Sequence, residues 1–175
     1  RTIFLDGPFD IEFTFDADDF GTSASLGGAH FITNHRNGLD GGRSRIWYYH
    51  DSIDNLAITD NDGTSGAVFG GLGGGGGNLS DGFTGNLDTK VRITRDSSNR
   101  IRGYINDVIQ PISKKVYTDA QVDGNITLNC IGGQQGTSTN VPHLQGSIWD
   151  IRISGGSTLK EIYKVDGYGN KTFNW

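Results

Sequence analysis

The sequence predicts an all-β protein, a two-sheet antiparallel sandwich, because its composition suits short strands and turns better than helices. Glycine supplies 28 of the 175 residues, and Glu12 and Glu161 are the only glutamates among the 20 acidic residues. Short Ile, Val and Phe runs alternate with stretches rich in Asn, Asp, Gly, Ser and Thr, whereas good helix formers are scarce. This balance argues against a helical protein and against a doubly wound α/β enzyme.

The first strand is predicted over residues 9–16, where apolar and polar residues alternate strictly. Phe9, Ile11, Phe13 and Phe15 share one face, and the acidic residues and Thr14 share the other. A period of two over eight residues is typical of a strand with one face in the core and one in water.

A hairpin is predicted from residues 90–95 and 101–106, which flank the turn-rich stretch 96–99. If Val91, Ile93, Gly103 and Ile105 all face inward, opposed positions must add up to an even number. Pairing Ile93 with Gly103 satisfies this condition and leaves residues 97–99 as the loop. Arg92 then lies opposite Tyr104 on the outer face, where we expect the two side chains to stack.

Five further strands complete the predicted sandwich, over residues 29–34, 43–50, 125–131, 146–154 and 159–165. In the fourth of these, Trp149, Ile151 and Ile153 alternate with Asp150 and Arg152, which predicts that Trp149 lies in the core. Residues 117–122 have room for one helical turn. The glycine-rich residues 70–77 predict a flexible surface loop, with close backbone approach to a ligand or another chain as the alternative.

Charge and hydropathy exclude several classes of function. No run of 18 apolar residues occurs, so no membrane insertion is expected. The net charge of −5 and the isoelectric point near 5.2 make nucleic acid a poor partner. The single cysteine, Cys130, lies in an apolar run and predicts a buried, inert thiol. We expect one domain over residues 1–175, excised from a longer protein or processed, since it opens at Arg1 without a signal-peptide pattern.

Two stretches resemble the concanavalin A-like lectin and laminin G-like superfamily. The first runs from Lys90 to Asp96 and continues over residues 101–108, ending in a short turn at Asn106-Asp107 that is similar to the Asn-Gly turn of that family. The second is the predicted strand over residues 146–153, which looks like the family's near-terminal core strand. Asp107 departs from the family's glycine. The resemblance implies a jelly-roll sandwich, a fold most often used to bind glycans or protein surfaces, sometimes with calcium.

A candidate sugar platform combines aromatic and polar residues, because an aromatic ring covers the C–H face of a pyranose while polar groups bond its hydroxyls. The densest such mixture in the sequence contains His35, Arg36, Trp47, Tyr49, His50 and Asp51. On a strand, Trp47 and Tyr49 share one face. They either form an exposed platform or fill the core, and strand periodicity leaves both interpretations open.

A calcium site is the candidate metal centre. The segment Asp60-Asn61-Asp62-Gly63 places oxygen ligands at alternate positions before a glycine turn, so Asp60 and Asp62 are the first candidate ligands. It fails as an EF-hand, since position twelve would be Phe69 instead of a bidentate glutamate. Ordinary turn chemistry is the simpler explanation of the same residues, because Asp and Asn commonly precede glycine in turns.

The sequence lacks the usual catalytic motifs, and the aspartate pair Asp16 and Asp18 is the alternative to paired glutamates. The sequence contains neither a Glu-x-Asp-x-Glu array, which glycosidases of this fold use, nor a Gly-x-Ser-x-Gly elbow, and its four histidines lack zinc-site spacing. The leading hypothesis is therefore a non-catalytic module that binds cell-surface carbohydrate, with an extracellular or virion-surface location. The composition is typical of the tip of a phage tail fibre or adhesin, which would imply a homotrimer. A β-sandwich for protein contacts is the second hypothesis, and a polysaccharide-acting enzyme is the third.

Overall fold

A computed structural model confirms the predicted fold, an all-β antiparallel sandwich with jelly-roll connectivity. It describes residues 3–19, 30–34, 44–50, 54–60, 66–69, 88–112, 124–132, 145–155, 163–165 and 171–173. Within these ranges no helix has the length and apolar character needed to cross a membrane.

The regular secondary structure of the described residues consists of strands. The strands are β1 (Ile3–Leu5), β2 (Phe9–Asp19), β3 (His30–Thr33), β4 (Arg45–His50), β5 (Asp54–Thr59), β6 (Gly66–Phe69), β7 (Thr89–Arg95), β8 (Ile101–Ile105), β9 (Val108–Ile109), β10 (Ile126–Leu128), β11 (Cys130–Ile131), β12 (Gln145–Gly155), β13 (Tyr163–Val165) and β14 (Lys171–Phe173). Predicted strands lie within one to three residues of β2, β3, β4, β7, β8 and β12. The sequence prediction missed β1, β5, β6, β9 and β14.

Two five-stranded antiparallel sheets make up the sandwich. The first sheet has the order β12-β2-β7-β8-β9, and the second has the order β11-β3-β4-β5-β6. A single residue, Asn129, separates β10 from β11, and its N–H donates to the Thr33 carbonyl at 3.0 Å. The β1–β10 pair therefore continues the edge of the second sheet, and the predicted strand over residues 125–131 is one strand with a break.

The core lies between the facing sheets and is rich in aromatic rings. Phe31 of the second sheet lies 5.4 Å from Phe13 and 4.6 Å from Phe15 of the first sheet, measured between ring centroids. Phe69 on β6 packs directly on Gly103 of β8, where a Cβ would lie 2.6 Å from the nearest ring atom. Gly103 is therefore the position where the two sheets approach too closely for any side chain.

The β7–β8 hairpin has the predicted register. Ile93 pairs with Gly103, and Arg92 pairs with Tyr104. Residues 97–99 form the loop, which closes with Asn99 in the left-handed region at φ 60°. The β8–β9 turn also adopts the conformation that the sequence pattern predicts, because Asn106 and Asp107 both have positive φ, as a type I′ turn requires.

The prediction that Trp149 lies in the core was wrong, because a β-bulge shifts the alternation of β12. Trp149 pairs with Thr14, whereas Arg152 pairs with Glu12, so two residues of β12 oppose one residue of β2. Asp150, at φ 50°, is at the bulge. Trp149 therefore lies on the outer face, partly buried, and Ile148 takes the inward position instead.

Arg95 anchors the first sheet to the chain around β1. Its guanidinium, on a side chain that is 3% exposed, donates to the carbonyls of Leu5, Gly7 and Gly124. It also lies 4.9 Å from the centroid of the Phe9 ring. One buried cation thus satisfies backbone acceptors from two connecting segments, which fixes where β1 and β10 approach the sandwich.

Candidate ligand-binding face

The outer face of the first sheet carries the candidate site. Its side chains are partly or fully exposed because they alternate with the core residues of β2, β7, β8 and β12. We call this surface the polar face; it comprises Asp10, Glu12, Thr14, Asp16, Lys90, Arg92, Thr94, Arg102, Tyr104, Ser147, Trp149, Arg152 and Ser154.

Strand register brings residues from four distant parts of the chain into one row. Arg152 pairs with Glu12, which pairs with Arg92, which pairs with Tyr104. Neighbouring strands lie about 4.8 Å apart, so the row spans about 14 Å across the sheet. It places charged groups of both signs between two aromatic residues, since Trp149 lies next to Arg152 on the same face.

Arg92 is the most tightly held cation of the polar face. Its Nε donates to both oxygens of Asp10 at 3.0 and 3.1 Å, and its Nη2 donates to Oδ2. The hydrogen bonds that Arg92 donates to Asp10 raise the pKa of Arg92. The guanidinium lies 5.7 Å from the centroid of the Tyr104 ring, so the predicted stacking contact is confirmed. Arg92 thereby fixes both a carboxylate and an aromatic ring.

Lys90 joins the polar face to the β8–β9 turn. Its Nζ lies 2.9 Å from Oδ1 of Asp107 and 3.2 Å from Oε2 of Glu12. Hydrogen bonds to Asp107 and then to Glu12 raise the pKa of Lys90. The Asp107 contact also gives a reason for aspartate at a turn position where glycine is usual, because aspartate tolerates positive φ and supplies an anion.

Trp149 and Arg152 occupy the β12 end of the polar face. The residues they pair with, Thr14 and Glu12, are two positions apart on β2, which corresponds to about 7 Å along the strand. In a regular strand, positions 149 and 152 would face opposite ways, so the bulge is what places the indole and the guanidinium side by side. Bulges often re-aim a side chain in this manner near binding sites.

For the predicted sugar platform, the structure describes the backbone of strand β4 only. Trp47, Tyr49 and His50 lie on β4, where Trp47 pairs with Ala57 and Tyr49 pairs with Asn55. Their side chains lie outside the described part of the structure, as do His35, Arg36 and Asp51 altogether. The platform therefore stays a prediction.

Asp60, the first candidate calcium ligand, follows β5 and is 3% exposed. One of its carboxylate oxygens lies against Gly124, whose Cβ position would be 2.3 Å away. Arg95 donates to the carbonyl of the same glycine at 2.7 Å. Asp62 lies outside the described residues, and within them no group of three His, Cys, Asp or Glu side chains is placed to hold a metal.

No protein family model matches this chain, and no curated protein matches it. Among solved structures, it is similar to the CBM40 of a Ruminococcus gnavus IT-sialidase, which was solved bound to alpha2,6 sialyllactose. The TM-score is 0.47, the sequence identity is 11%, and the alignment covers 81% of this chain and 74% of that chain.

The sequence did not predict Trp149 and Arg152 as site residues, but it did predict other parts of the polar face. The alternation over residues 9–16 identified the polar side of β2, and parity identified the Arg92–Tyr104 pair. Nothing in the pattern of Trp149, Ile151 and Ile153 indicates a bulge, because aspartate at position 150 suits a regular outer position equally well. The pairing of β12 with β2 was needed to place the indole outside.

Proposed function

We propose that this chain is a non-catalytic recognition module that binds carbohydrate on its polar face. The observation that carries the proposal is the position of Trp149, an indole on the outside of a sheet, beside ion-paired acids and cations. An outward tryptophan leaves apolar area in partial contact with water, and this area is available to a ligand. Its neighbours offer both hydrogen-bond donors and acceptors.

The chemistry of the polar face suits a sugar better than a flat apolar partner. An indole covers the C–H face of a pyranose ring, and side chains with two polar atoms bond adjacent hydroxyls. Asp10 and Arg92 already hold one another in a bidentate geometry. Groups held in place before binding lose less conformational entropy when a ligand arrives, which favours affinity.

Tryptophan fluorescence during glycan titration tests the proposal and separates the two candidate platforms. We expect a saturable shift that Trp149→Ala abolishes and Trp47→Ala leaves in place. The reverse result would move the site to the predicted β4 platform with Tyr49, His50 and the neighbouring polar residues. Isothermal titration covers sites remote from tryptophan, and absence of heat with every glycan of a broad panel would contradict the proposed function.

The module is proposed to be non-catalytic because its neighbouring carboxylates are occupied by cations. Asp10 and Glu12 share one face of β2, but Arg92 binds the first, and Lys90 binds the second. A hydrolase of this fold needs one carboxyl group to give a proton and another to attack or activate water. Release of reducing ends from a bound polysaccharide, abolished by Glu12→Gln, would overturn this part of the proposal.

A protein partner is the second candidate function, and the edge strand β9 favours it. Val108 and Ile109 are 61% and 59% exposed, and Ile109 lies opposite Tyr104 at the margin of the polar face. Exposed aliphatic side chains on an edge strand suit a protein contact. Mass in solution by light scattering, compared between the wild type and Ile109→Ser, shows whether copies of this chain associate there.

Calcium at Asp60 and Asp62 remains a separate proposal, supported by the turn sequence. Calcium that binds only the folded chain raises its unfolding midpoint. We expect the midpoint to fall in EDTA and to recover with added calcium, and Asp62→Asn to remove the response. An unfolding midpoint that is the same in calcium and in EDTA would count against the site.

A further inference from the structure

Arg152 differs from the other cations of the polar face in how its guanidinium is satisfied. Lys90, Arg92 and Arg102 each have a carboxylate oxygen within 3.4 Å. Arg152 approaches Glu12 at 3.7 Å, which is too long for a hydrogen bond. Within the described residues it has no other ion-pair or hydrogen-bond partner.

Glu12 is also a shared partner, which weakens its hold on Arg152. Lys90 lies closer to Glu12, at 3.2 Å, and the Glu12 side chain is 22% exposed. The Arg152 side chain is 58% exposed. Among the described residues, the guanidinium of Arg152 is therefore the least satisfied cation of the polar face, and register places it on the same face as Trp149.

We propose that the polar face recognises an acidic saccharide, with its sugar ring on Trp149 and its carboxylate on Arg152. This inference rests on the proposed function and names the class of ligand. A guanidinium forms two parallel bonds to a carboxylate, and such charge-assisted bonds are about twice as strong as neutral ones. A neutral sugar would use only part of the hydrogen-bonding capacity of the Arg152 guanidinium.

The bulge supports the assignment independently of charge. The described residues include four non-glycine residues with positive φ, and three of them, Asn99, Asn106 and Asp107, lie in hairpin turns. Asp150 is the fourth and lies within a strand, where no turn requires it. Backbone strain of this kind clusters at functional sites, and its effect here is to put the indole and the guanidinium on one face.

The test uses matched ligands that differ in the charge of the carboxyl group and by one methyl group. The probes are a galacturonic acid trisaccharide, a glucuronic acid disaccharide and sialyllactose, each compared with its methyl ester by isothermal titration. The variants are Arg152→Gln and, as the matched control, Arg100→Gln, since Arg100 is an exposed arginine of the β7–β8 hairpin and does not belong to the polar face. The unfolding midpoint of each variant checks that it is folded.

We expect at least one acid to bind about tenfold more tightly than its ester, the size of one charge-assisted contact. Arg152→Gln should lower the affinity for the acid to that for the ester, whereas Arg100→Gln should leave the preference for the acid unchanged. Added salt should lower the affinity for the acid more than the affinity for the ester.

The outcomes separate this inference from the proposed function. If the esters bind as tightly as the acids, or if Arg152→Gln keeps the preference, the acidic-ligand inference is wrong and carbohydrate binding stands. If neither acids nor esters bind but neutral glycans do, the same conclusion follows. If no saccharide binds at all, both proposals fail.

Discussion

At the residue scale, Gly103 is a core position where an added side chain would displace a neighbouring ring. The ring atoms of Phe69 would lie 2.6–2.8 Å from an added Cβ, and both residues belong to the core layer between the sheets. We expect Gly103→Ala to lower the free energy of unfolding by about 1–3 kcal/mol through overpacking, measured by urea denaturation. Phe69→Leu in the same chain should recover part of this loss, because it removes the ring; simple additivity of the two changes would contradict the packing explanation.

The second residue-scale prediction concerns Arg95, whose buried guanidinium donates to the carbonyls of Leu5, Gly7 and Gly124. Arg95→Met keeps the length of the side chain but leaves these acceptors without their donor. We expect a loss of about 3 kcal/mol or more in the free energy of unfolding. Arg102→Met, at an exposed ion pair, should cost less than about 1 kcal/mol. Equal losses in the two variants would show that the carbonyl contacts of Arg95 do not stabilise the fold.

At the element scale, the β7–β8 hairpin carries a prediction about pH. Asp96 accepts the N–H groups of Ser98 and Arg100, both on Oδ1, and these bonds lower its pKa from the ordinary 3.8. The folded chain therefore holds the ionised form to lower pH than the unfolded chain does. The resulting stability is present above about pH 4 and is lost as the pH falls through the lowered pKa.

Asp96→Asn tests this effect, because an amide oxygen can accept the same two bonds without the charge. We expect the wild type to be more stable than the variant at pH 7, and the difference to shrink as the pH falls from 4 to 2. The midpoints of urea denaturation of the two proteins at each pH measure this difference in stability. A difference that stays constant with pH would mean that the carboxylate charge makes no contribution.

The elements also show which strands a sequence pattern can identify. Strands β2, β7 and β8 have one buried and one exposed face, so their alternation was readable and their register followed from parity. In β5, by contrast, Leu56, Ala57 and Ile58 are all buried, and the period of two disappears. The bulge at Asp150 had a different effect, since it kept the alternation on each side but shifted its phase.

At the scale of the whole molecule, the fold was predictable but the site was not. Composition and alternation together predicted the sandwich, because burial on one face leaves a local trace in every strand. The polar face joins Glu12, Arg92, Tyr104 and Arg152, which are distant in sequence, so no local motif marks it. The dense aromatic cluster around Trp47 instead predicts a site on β4. That the chain belongs to a trimeric tail fibre stays a prediction from composition.

The core predicts how the whole molecule unfolds. Phe13 and Phe15 of the first sheet pack on Phe31 of the second, and one hydrophobic cluster includes residues of both sheets. We expect calorimetry to show one transition whose calorimetric and van't Hoff enthalpies agree, as for a single cooperative domain over residues 1–175. Two separated transitions would indicate that the sheets or the ends of the chain unfold independently.

The position of β2 between β7 and β12 has a consequence for synthesis on the ribosome. The strands that pair with β2 begin at Thr89 and Gln145. During synthesis, β2 can therefore form its first ladder only after about half of the chain has been made, and its second only after most of it. Until then the apolar face of β2, formed by Phe9, Ile11, Phe13 and Phe15, has no sheet to pack against. Contacts this distant in sequence also slow folding. The nascent chain therefore exposes the three phenylalanines of β2 until about half of it has been made, which makes β2 an expected binding site for chaperones and a source of aggregation in truncated chains.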